Sequence, residues 1–87
     1  MERQEVFVKV SEIIRQVLLM KNLKIEPENN LTEDLGMDSL GAVELVNAVE
    51  DEFKITINET EMQSIKTVKD AVELIIDKTK HNYKNAG

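Results

Sequence analysis

The chain enters its central helix through the stretch Leu35-Gly36-Met37-Asp38-Ser39-Leu40. Gly36 tolerates backbone angles that other residues avoid, and Asp38 can accept hydrogen bonds from the free amides of a first helical turn. From Ser39 to about Phe53 apolar residues recur at helical spacing. The stretch therefore predicts a turn at Gly36, a cap at Asp38 and a helix over residues 39–53, with the Ser39 hydroxyl facing solvent.

Three further segments carry helical signals. Apolar periodicity predicts one helix over about residues 2–20 and another over about residues 68–78. A short helix at residues 59–64 is predicted from a capping box, in which Asn58 is the cap and Glu61 stands three residues later. Thr67 and Asp70 repeat this arrangement before the last helix.

The apolar spacing also predicts which side chains face the core. Leu45 falls at the margin of the second helix's apolar stripe. The inward residues are Val6, Val10, Ile13 and Val17 in the first helix, Val43, Val46, Val49 and Phe53 in the second, and Val68, Ala71, Val72, Ile75 and Ile76 in the last.

The connections complete the expected fold. Residues 55–57, Ile-Thr-Ile, alternate like a strand but are too short to pair alone, so we expect an extended link pinned by its isoleucines. Residues 22–37 form a long first loop, of a length that is often functional. The predicted class is all-α: a small four-helix bundle with three main helices, one short helix and a long first loop.

Length and composition are consistent with one small domain. Of 87 residues, 41% are hydrophobic but only 3% are aromatic, so the core must be aliphatic. We expect a folded domain over residues 1–79 and a flexible tail over residues 80–87, where periodicity is lost. The chain has no run of ~20 apolar residues and no signal-peptide pattern at its start, so we expect a cytoplasmic protein without membrane insertion.

Several classes of site are improbable on residue content. The chain has no cysteine, which excludes disulfides, thiolate metal sites and a cysteine nucleophile. The one histidine, His81, lies in the expected tail, so we predict no catalytic residue and no metal site. The net charge of −6 argues against nucleic-acid binding, which needs a basic patch.

The negative charge is concentrated in one stretch. Residues 26–52 contain nine acidic residues and no basic residue. A field of one sign around a short polar motif indicates that a basic partner docks there. The second helix has no lysine or arginine within residues 39–53, and unpaired like charges destabilise a helix slightly, which a partner-binding role would explain.

Ser39 has two interpretations. As a bare Asp-Ser pair it would be only part of a helix cap. The surrounding pattern, from Leu31 through Asp38-Ser39-Leu40 to Glu50-Asp51-Glu52-Phe53, resembles the acyl carrier proteins over about residues 6–77. That resemblance implies a helical bundle whose serine carries 4′-phosphopantetheine, here on Ser39, installed by a phosphopantetheinyl transferase that uses coenzyme A and Mg²⁺. Asp38 would then lie at the metal-containing active site of the transferase.

The residues themselves agree with a substrate role for Ser39. An unactivated serine hydroxyl is a poor nucleophile, and no histidine is near it in sequence. Because the chain has no cysteine, a thioester needs a thiol from a prosthetic group. A phosphodiester on Ser39 would also lie at the favourable end of a helix dipole.

The resemblance further implies two sets of binding residues. Synthases, reductases and acyltransferases with basic patches would dock on the second helix, and an acyl chain would enter the core. The expected partner-binding residues are Leu40, Glu44, Asn47, Ala48, Glu50 and Asp51, and the expected cavity residues are Val46, Val49, Phe53, Ile57, Met62 and Ile75.

Gly41 departs from the family pattern, since many fatty-acid carriers have an acidic residue two positions after the serine. This favours a specialised pathway, such as polyketide or modified-lipid synthesis, over housekeeping fatty-acid synthesis, and leaves the modification unaffected. The expected function is a monomeric carrier of acyl thioesters and not an enzyme. The alternative is an acidic helical interaction adaptor in which Ser39 is only a cap. A calcium sensor is excluded because residues 26–38 lack the ligand pattern of an EF-hand.

Overall fold

A computed structural model describes the backbone of residues 2–86 and the side chains of residues 2–80. It contains four helices: α1 (Arg3–Leu18), α2 (Ser39–Phe53), α3 (Glu59–Ser64) and α4 (Val68–Ala86). The described residues form no strand, and their one β-bridge joins Asn30 and Thr67. The predicted all-α bundle with one short helix and a long first loop is therefore confirmed.

α4 is longer than the sequence predicted. It continues to Ala86, whereas the apolar periodicity ended near residue 78. Loss of periodicity marks the end of a buried face and does not by itself end a helix. The side chains of residues 81–87, including His81, lie outside the described residues, so the boundary between a domain at 1–79 and a flexible tail at 80–87 stays a prediction.

α1 packs against both α2 and α4. Two contacts fix its direction relative to α2. Val17 near the end of α1 lies beside Gly41 near the start of α2, and the Nζ of Lys9 is 3.2 Å from Oε2 of Glu52 at the far end of α2. The two helices are therefore antiparallel, and the last turn of α1 lies beside the first half of α2.

The core is aliphatic apart from Phe53, as the composition predicted. Two assignments on α2 were wrong: Val43 is exposed, and Leu45 is buried. At about 100° per residue, the side that faces the core is centred between Leu45 and Val49, which places Val43 beyond its edge. The fully packed residues are Val6, Val10, Ile13, Ile14, Ile25, Leu31, Met37, Leu45, Val46, Val49, Phe53, Ile55, Ile57, Val68, Ala71, Val72 and Ile75.

Backbone hydrogen bonds fasten the long first loop to the start of α4. The amide of Leu31 donates to the Lys66 carbonyl at 2.9 Å, and the amide of Val68 donates to the Asn29 carbonyl at 3.0 Å. Ile25, Leu31 and Met37 bury their side chains in the core. The loop is thus an ordered strap across the bundle, and its far end delivers the chain to α2.

Both predicted capping boxes are present. At α3, the amide of Glu61 donates to Asn58 Oδ1 at 2.8 Å, and the amide of Asn58 donates to Glu61 Oε1 at 3.0 Å. At α4, the amide of Asp70 donates to Thr67 Oγ1 at 3.1 Å, and the amide of Thr67 donates to Asp70 Oδ2 at 3.0 Å. These local signals place both helix starts as the sequence indicated.

Candidate functional site around Ser39

Ser39 is the first residue of α2, and its side chain is exposed. Asp38 is the N-cap: its Oδ1 accepts from the amide of Gly41 at 2.8 Å, and its carbonyl accepts from the amide of Ala42 at 2.9 Å. The predicted cap is therefore confirmed, and it is Asp38. Because Asp38 satisfies the helix start, Ser39 is not needed as a cap, which weakens the adaptor interpretation.

The turn before Ser39 depends on Gly36. Its φ of 76° lies in the left-handed region, which side chains disfavour. One residue later, the amide of Met37 donates to the Leu31 carbonyl at 2.9 Å, and the Met37 side chain is only 2% exposed. Met37 anchors the junction between the loop and α2, so the backbone position of Ser39 is fixed.

Gly41 has a packing role that the sequence comparison missed. A Cβ at this buried position would lie 3.0 Å from Cγ of Met37, 3.3 Å from Oδ1 of Asp38 and 3.6 Å from Cγ1 of Val17. Any side chain here would press on Met37 and Asp38, which anchor and cap the Ser39 turn, and would contact Val17 of α1 at an ordinary distance. Glycine at this position is thus explained by close packing, without reference to the pathway that the protein serves.

The predicted partner-binding residues divide into three groups. Leu40, Glu44, Asn47 and Asp51 are exposed, and Ala48 is half-buried beside them. Glu50 was expected on the exposed side but is half-buried, because its Oε2 accepts from the amide of Ile57 at 2.7 Å. Its carboxylate stabilises the link to α3.

The acidic stretch is less uniform in space than in sequence. Glu52 pairs with Lys9, and Glu26 lies 3.6 Å from Lys24. Asp34 Oδ2 accepts from the amide of Asn30 at 2.7 Å. Of the four acids of α2, Glu52 forms a salt bridge within the described part of the chain. The exposed acids Glu44 and Asp51 lie about two turns apart on one side of the helix.

A small apolar cavity of about 30 Å³ lies behind α2. That volume exceeds the roughly 10–15 Å³ needed for one water but is far below the size of an acyl chain. Phe53 is buried yet lies outside the lining. Five of the six predicted cavity residues line it: Val46, Val49, Ile57, Met62 and Ile75. The rest of the lining consists of Leu31, Ala42, Leu45, Ile65 and Ala71.

Shifted pKa values occur away from Ser39. The amide of Asn58, and then Lys78 at 3.0 Å, hold the pKa of Glu61 below its ordinary value. Burial opposes ionisation of Asp70, but hydrogen bonds from the amides of Thr67 and Lys66 outweigh it and lower the pKa of that carboxyl. Both carboxyls are the third helical residues of capping boxes, so these shifts report fold stability.

Two classes of feature are not found among residues 2–80 and the helices that the structure describes. No group of three or more histidine, cysteine or carboxylate side chains is placed to hold a metal ion. No helix is long and apolar enough to cross a membrane.

Comparison with known proteins agrees with the geometry. Residues 8–75 match the family model described as a phosphopantetheine attachment site. The chain is 39% identical over 77 residues to an acyl carrier protein of Saccharopolyspora erythraea, covering 88% of this chain and 81% of that protein. It is 41% identical over 76 residues to an acyl carrier protein of Cyanidium caldarium, covering 87% and 88%.

A solved structure has the same fold. The crystal structure of an acyl carrier protein from Thermotoga maritima matches with a TM-score of 0.82 at 33% identity, over 93% of this chain and 94% of that one. The family match covers most of the chain and includes the exposed serine at the start of α2. The chain therefore belongs to the acyl carrier proteins, which are carriers rather than enzymes and hold 4′-phosphopantetheine as their covalent cofactor.

Proposed function

We propose that Ser39 is the attachment residue and that this chain carries acyl intermediates as thioesters on the arm. The observation that carries the proposal is the exposed Ser39 side chain at the start of α2, with Asp38 as the cap. The positive end of the helix dipole supports a phosphodiester at this position. A phosphopantetheinyl transferase would supply the arm from coenzyme A with Mg²⁺, and Asp38 would lie at its metal.

The acyl-processing partners follow from the exposed side of α2. Synthases, reductases and acyltransferases with basic patches would meet Leu40, Glu44, Asn47, Ala48 and Asp51. The pathway is fatty-acid synthesis or a related polyketide or specialised lipid route. Gly41 no longer favours a specialised pathway over fatty-acid synthesis, because close packing explains the glycine at this position. A cytoplasmic location and a monomeric state remain predictions from sequence.

The acyl chain would enter the core beside α3. Since the cavity of about 30 Å³ is too small for it, α3 must move outward. α3 has no fully buried residue, and Met62 and Ile65 cover one side of the cavity, so it is the element most easily displaced. Burial of the chain predicts a higher melting temperature for an octanoyl-loaded protein than for the unacylated holo form; equal melting temperatures would contradict it.

The attachment residue is tested by intact-mass spectrometry. Wild-type protein is incubated with coenzyme A, Mg²⁺ and a broad-specificity transferase, beside Ser39→Ala and Ser64→Ala. Ser64 is a matched control because it is also exposed on a helix. We expect one phosphopantetheine on wild type and on Ser64→Ala, and none on Ser39→Ala. A gain on Ser39→Ala, or no gain on any protein, would refute the proposal.

A further inference from the structure

The end of α1 presents a leucine in an unusual state. Leu19 has φ 57° and ψ 40°, and its side chain is 90% exposed. The amide of Met20 donates to the Arg15 carbonyl at 2.9 Å and the amide of Leu19 donates to the Gln16 carbonyl at 3.2 Å, which is a Schellman ending where glycine is usual. The fold therefore keeps a branched side chain where it is strained and contacts little of the protein.

This leucine lies beside the partner-binding half of α2. A shallow depression is lined by Gln16, Val17 and Leu19 from the end of α1 and by Glu44 and Asn47 from α2. Leu40, next to Ser39, is itself 68% exposed. Because α1 and α2 are antiparallel, Leu19 and Leu40 project from the same end of the molecule.

The size of a protein interface places Leu19 within reach of any enzyme that acts on Ser39. A specific interface takes about 800 Å² from each partner, which is roughly one seventh of this chain's 5874 Å² surface. An interface of this size that covers Ser39 and the first half of α2 would also cover the adjacent depression, because Glu44 and Asn47 of α2 line that depression. An exposed leucine that becomes buried in an apolar recess gains favourable free energy because its apolar surface leaves water.

Charge indicates the character of the partner. Glu44 borders Leu19 on the α2 side, whereas two bases, Arg15 and Lys21, and one acid, Glu12, border it on the other side. Burial of Leu19 against a partner therefore places an acid on one side of the leucine and a net positive charge on the other. The complementary surface is basic over α2, has an apolar recess in the middle and is acidic over Lys21.

We propose that Leu19 is a recognition residue, which inserts into an apolar recess of the transferase that modifies Ser39. This inference rests on the proposed function. The partner surface thus spans two helices, with Leu40 and Glu44 from α2 and Leu19 from the end of α1. Leu19 acts by docking and does not take part in the transfer itself.

The test measures kcat/KM for arm transfer by a broad-specificity phosphopantetheinyl transferase. Leu19→Gly and Leu19→Asn both suit the left-handed backbone, so neither should lower the melting temperature. We expect each to reduce kcat/KM about tenfold, as loss of a buried leucine contact does. Leu19→Met keeps an apolar side chain and should stay near the wild-type value.

Val8→Ala is the matched control for removal of an exposed apolar side chain. Val8 is 44% exposed on α1, but its neighbour Lys9 pairs with Glu52 at the far end of α2. We expect Val8→Ala to be modified at the wild-type rate. An equal reduction by Val8→Ala would overturn a specific role for Leu19.

Two patterns distinguish failure of the inference from failure of the function. If wild type is modified and Leu19→Gly and Leu19→Asn are modified equally fast, only the docking role is overturned. If wild type gains no arm, the carrier function fails and the docking role fails with it. Sedimentation of the wild type as a dimer that Leu19→Gly dissociates would assign the surface to a second copy of this chain and also overturn the proposal.

Discussion

The two halves of α2 differ in how the fold uses their acidic residues. In the first half, Ser39, Leu40, Val43 and Glu44 are exposed. In the second half, residues 49–53 include two buried side chains and two acids that are bound within the fold. One helix thus leaves the side chains at its start exposed and uses two acids near its end to hold the bundle together.

The difference shows how a small domain separates recognition from stability. Glu44 and Glu52 have the same chemistry on the same helix, but only Glu52 has a lysine partner within the described structure. Val43 and Val46 are likewise the same residue type in the same half, but Val43 is exposed and Val46 is buried because they lie on different sides of the helix. Residue type alone therefore does not indicate a role on α2, because the side of the helix and the contacts at each position decide it.

The largest effect on stability is expected from Phe53→Ala. Phe53 is buried at the end of α2, and its truncation should lower the free energy of unfolding by about 3–5 kcal/mol. Chemical denaturation measures the change. The exposed Val43→Ala in the first half should change stability by less than about 1 kcal/mol. Equal destabilisation by the two variants would remove the contrast between the halves.

A smaller effect is expected from Glu50→Ala. Removal of the carboxylate leaves the amide of Ile57 without its acceptor and should destabilise the fold by about 1–2 kcal/mol. Glu50→Gln keeps an acceptor and should recover part of that loss. If Glu50→Ala slows arm transfer but leaves the denaturation midpoint unchanged, Glu50 belongs with the recognition residues instead.

The smallest effect is expected from Asp70→Ala, outside α2. Asp70 completes the capping box of α4 at the point where the long loop is fastened, and loss of its hydrogen bonds from the amides of Thr67 and Lys66 should destabilise the fold by about 1 kcal/mol at neutral pH. Since the folded pKa is below the ordinary 3.8, ionised Asp70 stabilises the fold above that pH and ceases to do so as pH falls through the folded pKa.

The pH dependence separates this charge from simple loss of packing. The difference in unfolding free energy between wild type and Asp70→Ala should shrink below about pH 3.8. Asp70→Asn retains the shape and is the control for charge. A difference that stays constant down to the acid transition would show that the charge of Asp70 contributes nothing.

Local signals in the sequence were sufficient for the helix starts. Asp38, Asn58 and Thr67 each cap the helix that follows, because caps depend on residues three positions apart. The turn at Gly36 was equally predictable, since glycine is the residue that best tolerates its left-handed backbone. The exposed serine at the start of α2 follows from these same local rules.

The remaining features depend on contacts between distant residues. The burial of Val43 and Leu45 was predicted the wrong way round, because apolar spacing within α2 does not fix which side of the helix faces α1 and the core. The role of Glu50 depends on a chain reversal that brings Ile57 back to it. Gly41 was interpreted as a missing charge because its neighbours Met37 and Val17 meet only in the folded chain.

The most direct test of the contrast between the halves neutralises one acid in each. Glu44→Gln and Glu52→Gln are compared for kcat/KM of arm transfer to Ser39 and for stability. We predict that Glu44→Gln lowers kcat/KM at unchanged stability, whereas Glu52→Gln leaves kcat/KM unchanged and slightly lowers stability by loss of Lys9. Equal slowing by both variants would mean that the whole acidic field attracts the partner, and would contradict a recognition surface that includes Glu44 and excludes Glu52.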